Sequence, residues 1–182
     1  MKTFPESTAP THPLRIVLCQ HSPVVNSRTM EAVLDEADFC LVIQIGSHYM
    51  PGSETVVQVR RKGAIVFEQR RPALSLPRSG WKRLLSFPGA FLGYRRFVLS
   101  ALRQWPEARE AGYIGRAWFP AWTGISARRA GLVKKVVYWS GDYYPIAGSL
   151  EMRLINFIFH QIERWVIRNA DAIWYLTRRI YD

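Results

Sequence analysis

The segment from Val133 to Asp182 constrains this chain most, because it reads strand, acidic turn, long helix, strand and polar turn without interruption. VKKVVYW is an apolar run of strand length, and SGDYYP breaks it. From about Ser149 to Asn169 the residues Leu150, Leu154, Phe157, Ile158, Ile162, Trp165 and Val166 recur at three- and four-residue steps, the period of a helix with one buried face. ADAIWYLT then reads as a short buried strand ending at Thr177. Two parallel strands joined by one helix belong to an open α/β sheet. In such sheets ligands bind in the crevice outside the carboxyl ends of the strands, where Asp142 and Thr177 are expected.

The rest of the chain extends the same pattern. Leu14 to Gln20 reads as a buried first strand, the turn HSPVVNS follows, and Ser27 stands where an N-cap would open the helix SRTMEAVLDEA. FCLVIQIGS is the second strand. ETVVQVRRKGAIVFEQRR reads as two antiparallel strands turning at Arg61, Lys62 and Gly63, an insertion into the βαβ repeat. Residues 72 to 88, with Pro72, Pro77, Gly80 and Pro88, read as a loop or lid, and a helix is predicted from Gly89 to Trp105. A short strand around Tyr113 to Ala117 and the helix WTGISARRAG lead into the Val136 strand. The fold class is therefore α/β: a Rossmann-like open, mostly parallel sheet with helices on both faces and a β-hairpin insertion. Residues 1–13, rich in Pro, Ser and Thr, read as a flexible leader, and residues 14–182 as one domain.

Charge is concentrated rather than spread. The chain carries a formal +11, yet between Arg60 and Arg103 eleven basic residues face the single Glu68, a local balance of +10. The segment 60–105 also holds Trp81, Phe87, Phe91, Tyr94 and Phe97. Basic residues interleaved with aromatics suit an anionic membrane surface, where apolar groups enter the interface and cations face lipid phosphates. Arg70, Arg71, Trp81, Lys82, Arg83, Arg95 and Arg96 are the residues expected to do this. The aliphatic, helix-like setting of the aromatics and the lack of a nucleic-acid motif argue against a nucleic-acid partner. No run approaches the ~18 apolar residues of a membrane span, and no apolar signal-peptide core appears. Cys19 and Cys40 lie inside apolar strands and read as packed thiols of adjacent strands, as a reducing compartment permits. His12, His21, His48 and His160 lack metal spacing, so no metal and no cofactor is expected.

YWSGDYYP, followed by ERWVIRNADAIWYLT and a basic helix start, resembles the amino-terminal, acceptor-side domain of GT-B fold glycosyltransferases of the GT4-like group. The resemblance covers roughly residues 113 to 182. It implies the first of two Rossmann-like domains with the active site between them, and a nucleotide-sugar donor held mainly by a second domain through a Glu-x7-Glu element. A two-domain enzyme needs about twice this length, so the chain reads as truncated and is expected to be inactive alone. The resemblance further implies transfer of a sugar to a polysaccharide or lipid-linked acceptor, and the basic, aromatic segment adds the expectation of a protein peripheral on the cytoplasmic membrane face. The alternative is a non-catalytic membrane-surface module that keeps only the Rossmann-like shell.

Asp142 is the first candidate for catalysis: it follows the strand VVYWSG, and Gly141 lets the backbone turn sharply towards a ligand. In the resembling enzymes an acid at this place positions hydroxyls or supports an oxocarbenium-like transition state; the other reading is a turn-capping carboxylate. Tyr143 and Tyr144 could stack on a sugar face or pack a loop. Thr177, with Arg178 and Arg179, opens the last helix, either as an anion site or as a plain N-cap. His21 could be a base or phosphate contact, but its loop, Gln20 to Pro23, lacks the glycines the family carries there. His160 reads as surface or interface, and Asp171 as a structural carboxylate that caps the preceding helix turn on the edge opposite the crevice.

Overall fold

A computed structural model describes residues 13–21, 28–46, 53–73, 81–140 and 150–175. They build a seven-stranded sheet in the order β4-β3-β2-β1-β5-β6-β7. β1 (Arg15–His21), β2 (Phe39–Ile45), β5 (Gly112–Arg116), β6 (Lys135–Ser140) and β7 (Ala172–Tyr175) are parallel neighbours. β3 (Glu54–Arg61) and β4 (Ala64–Pro72) join β2 as an antiparallel hairpin at one edge. The turn between them uses Lys62 at φ 49° and Gly63 at φ 78°, the left-handed pair whose twist suits a two-residue hairpin loop. The Rossmann-like sheet with its hairpin insertion is therefore as the sequence pattern predicts.

Alternation along the strands sorts the core into two layers. Val17 and Cys19 of β1, Leu41 and Ile43 of β2, Tyr113 of β5 and Tyr138 of β6 face one side, where α2 (Trp81–Arg103), α3 (Trp118–Arg129) and α4 (Leu150–Asn169) pack. Ile16 and Leu18, Cys40 and Val42, Ile114 and Trp139 face the other, where Met30 and Leu34 of α1 (Arg28–Glu36) meet them. Among the described residues α1 is the one helix on that second face, and Trp174 beyond it is 51% exposed.

Two glycines let α3 lie unusually close to the sheet. A Cβ at Gly115 would stand 2.4 Å from the backbone of Ala121, and one at Gly124 would stand 2.4 Å from the Tyr113 ring. The Tyr113 hydroxyl donates to the Pro120 carbonyl at 3.0 Å, pinning the first turn of the helix.

Helix α2 corrects one expectation. The loop read over residues 72–88 does not hold at either end, because Pro72 closes β4 and the helix already begins at Trp81 and runs through Pro88. Proline inside a helix removes one hydrogen bond and crowds the preceding turn, a cost of ~3 kcal/mol. Pro88 sits on the exposed side, while Phe87, Ala90, Tyr94, Val98 and Leu102 of the same helix are buried at three- and four-residue steps. Burial of that stripe offsets the proline. A short 3-10 turn, Pro106–Glu110, also separates α2 from β5 and was not expected from the sequence.

Candidate functional site

The chain leaves β1 through α1 to one side of the sheet and later returns beside β1 through α2 into β5, which then leads to the other side. β1 and β5 therefore flank the topological switch point, and their carboxyl ends open the crevice where open α/β sheets hold ligands. His21 closes β1 there, its ring 5.8 Å from that of Phe119 at the start of α3. Arg116 closes β5, and its guanidinium lies 4.9 Å from the ring of Trp139 near the end of β6. Trp139 in turn meets Trp174 of β7 edge to face at 6.0 Å. Cation and rings together make a shelf along the carboxyl ends, on the side of the sheet that α1 covers.

Backbone strain marks the same place. Ala117, between β5 and α3, holds φ 77° and ψ 162°, a region almost reserved for glycine. Its N–H donates to the Trp139 carbonyl at 3.0 Å, and its carbonyl receives the Ala121 N–H at 3.2 Å. Such strain costs ~1–3 kcal/mol and clusters where a fold holds a binding geometry. One step before His21, Gln20 is 2% exposed, yet its side-chain Oε1 finds no hydrogen-bond partner among the described residues. Ser140, at the end of β6, is buried as well.

Of the predicted site residues, His21 stands at the crevice. Asp142, Tyr143, Tyr144, Thr177, Arg178 and Arg179 lie outside the described residues, as do His48 and the N-cap candidate Ser27. Arg116, Trp139 and Gln20 were missed. Their signal was present as polar or broad residues in the last two positions of apolar strands, but it takes the strand order to bring those ends together.

Asp171 sits at the opposite edge, entering β7, as its place in the sequence implied. Its carboxylate accepts the Val136 N–H at 2.7 Å and pairs with Arg128, so it ties β6 to α3 rather than capping α4. Partial burial disfavours its charge, but the Val136 N–H and the Arg128 guanidinium outweigh that and hold its carboxyl below the ordinary range. His160 lies on α4, 3.8 Å from Glu163. Cys19 and Cys40 are free, buried thiols of neighbouring strands, and desolvation pushes both up to about 12. Among the described residues no cluster of three His, Cys, Asp or Glu could hold a metal ion.

The basic segment resolves into two populations. Arg60 pairs with Glu31 at 2.9 Å and faces Asp35 at 3.7 Å, Arg61 pairs with Glu107 at 2.5 Å, and Arg70 bridges Glu68 and Glu54. Those carboxylates come mostly from outside the segment, so its edge-strand charge is largely balanced in the fold. Arg71 instead lies over the Phe97 ring at 5.5 Å. Helix α2 keeps Lys82, Arg83, Arg95, Arg96 and Arg103 and contains no acid, and neither does α3. The exposed stripe of α2 runs Lys82, Leu85, Gly89, Leu92, Arg96, Ser100 and Arg103 at helical spacing, mixing cations with leucines. No helix among the described residues is long and apolar enough to cross a membrane.

These features define a Rossmann-like α/β domain with a crevice at its switch point and a cationic, leucine-bearing helix beside it. No protein-family model and no curated protein matches the chain.

Proposed function

We propose that this chain is the amino-terminal, acceptor-side part of a glycosyltransferase of GT-B type that works against an anionic membrane surface. The observation that carries the reading is the crevice at the switch point, where the strained Ala117 link joins the Arg116–Trp139 shelf on the α1 side of the sheet, with His21 against Phe119 on the α3 side. The exposed Trp174 ring, reached from the Arg116 cation through the packed Trp139, suits a sugar ring carrying hydroxyls or a phosphate. Asp142, two residues after β6 in the sequence, would act on the acceptor hydroxyl or the developing positive charge. In this reading the nucleotide-sugar donor is held by a second domain, and a glycan or lipid-linked acceptor meets this one. The stripe of Lys82, Leu85, Leu92 and Arg96 would hold the domain on lipid.

Calorimetric titration of the chain with UDP-, GDP- and ADP-sugars, and in parallel with oligosaccharide and lipid-linked glycan acceptors, tests the assignment. Acceptor binding that His21→Ala and Arg116→Ala each weaken, with feeble nucleotide-sugar binding, is the expected outcome. Tight binding of a nucleotide sugar would reverse the acceptor-side assignment. Absence of any glycan affinity would favour a second reading, a non-catalytic membrane module, to which the exposed Lys82, Arg96 and leucines of α2 also point.

A further inference from the structure

Helices α2, α3 and α4 enclose a groove of about 520 Å³ on the face opposite α1. That volume falls in the ~300–1,000 Å³ range of sites for small molecules. Phe91, Trp118, Phe119 and Phe159 form its packed aromatic wall, with Trp118 and Phe159 ring centroids 4.6 Å apart and Phe91 and Phe119 4.8 Å apart. Leu92 and Ile158 line the groove while remaining 47% and 41% exposed, so it is open along its lip. Leu85, 78% exposed, lies seven residues before Leu92 on the same side of α2 and extends the apolar lip. An open apolar groove with exposed leucines at its lip marks an interaction site.

The surroundings select the occupant. Arg95 lies 5.9 Å from the ring centroid of Trp122, which lines the groove, and among the described residues it has no carboxylate partner. Lys82 and Arg96 stand exposed on the same helix. The groove lining is apolar throughout, so an extended peptide laid in it would leave its own N–H and C=O groups unpaired. A second copy of the chain would set the acid-free faces of α2 and α3 against each other and bring like charges together. A hydrocarbon chain needs no hydrogen bonds, and an anionic headgroup answers the cations.

We propose that this groove binds a single hydrocarbon chain of a phosphate-headed membrane lipid, the chain against the aromatic wall and the phosphate at Arg95. This site goes beyond the crevice and does not depend on it: a transferase would use it to present a lipid-linked acceptor, and a membrane module would use it as an anchor.

Monododecyl phosphate, held below its micelle concentration, is the probe. Titrated calorimetrically into the full chain at several temperatures, it should bind saturably at one site with a negative heat-capacity change, the mark of apolar burial. Leu92→Glu, at a half-exposed position that should leave the thermal unfolding curve intact, should weaken binding by about tenfold or more. Arg95→Gln should weaken dodecyl phosphate while leaving a neutral dodecyl alcohol unchanged, and inorganic phosphate alone should not bind. Non-saturable uptake, or wild-type affinity in folded Leu92→Glu, would overturn the site. Wild-type affinity in Arg95→Gln would overturn the headgroup assignment, and a dimer that Leu92→Glu dissolves would make the groove a self-association face instead. None of these results bears on glycan binding at His21 and Arg116, so failure here leaves the crevice reading separately testable.

Discussion

Replacing Gly115 by alanine adds one methyl group that would run into the backbone of α3. The new Cβ would stand 2.4 Å from both the N and Cα atoms of Ala121 and 2.8 Å from the carbonyl carbon of Pro120. Carbon atoms reach their best separation near ~3.5–4.0 Å, so α3 would have to retreat by more than about 1 Å. The obstructing atoms are backbone, which no rotamer change can move. Retreat would also pull Trp118 and Phe119 from their neighbours and disturb the Tyr113 to Pro120 hydrogen bond. Overpacking costs ~1–3 kcal/mol where side chains can adjust, so this substitution should reach about 3 kcal/mol or more. For a chain of this size that lowers Tm by about 6–12 °C. Gly89→Ala is the matched control: Gly89 is helical and exposed, and a Cβ there meets no atom within 4 Å. It should stabilise by ~0.5–1 kcal/mol. Urea unfolding of both variants beside the wild type gives the two differences. A Gly115→Ala protein within about 0.5 kcal/mol of wild type would refute the close packing of α3 on β5, and with it the geometry of the crevice.

Other outcomes follow from the same contacts. Ala117→Gly should raise stability by about 1 kcal/mol, because release of the strained backbone outweighs the added freedom of the unfolded chain; thermal melting checks it. Asp171→Asn should destabilise the protein near neutral pH and flatten its acid unfolding profile. The folded-state pKa of Asp171 is depressed, so its contribution is fully present above the ordinary carboxylate range and is lost as pH falls through the lowered folded value. Cys19 and Cys40, with thiols near 12, should hold only about one part in ten thousand as thiolate at pH 8, so a thiol reagent should label them only after denaturation.

The parallel strands were legible because their apolar runs are short, bounded and buried on both faces, as RIVLCQH and FCLVIQI show. The hairpin was legible through Lys62 and Gly63, since few other pairs accept two left-handed residues in succession. Helix α2 was cut short because Pro88 speaks locally against a helix, whereas burial of Phe87 and Tyr94 by α3 and α4 is a tertiary effect. The same holds for charge. Arg60, Arg61 and Arg70 look unbalanced in a linear count, yet their carboxylates arrive from α1, from the 3-10 turn and from the neighbouring strand. For the site, His21 could be named because it ends an apolar run in a polar turn. Arg116 and Trp139 could not, because their union depends on β5 lying beside β6 in register. The groove was hidden for a like reason: Phe87 and Phe91 read as aromatics of a membrane-facing segment, and it takes the helix placement to bring them together with Trp118 and Phe159 around an opening.

Co-sedimentation of the chain with vesicles of phosphatidylcholine and of phosphatidylcholine with phosphatidylglycerol, at low and high salt, tests the membrane-facing account most directly. Binding to the anionic vesicles alone is expected, partly reversed by salt as the cations of α2 are screened, with a residue that Phe157→Ser and Leu85→Ser remove. Equal failure on both kinds of vesicle, or binding that these two substitutions leave untouched, would contradict it.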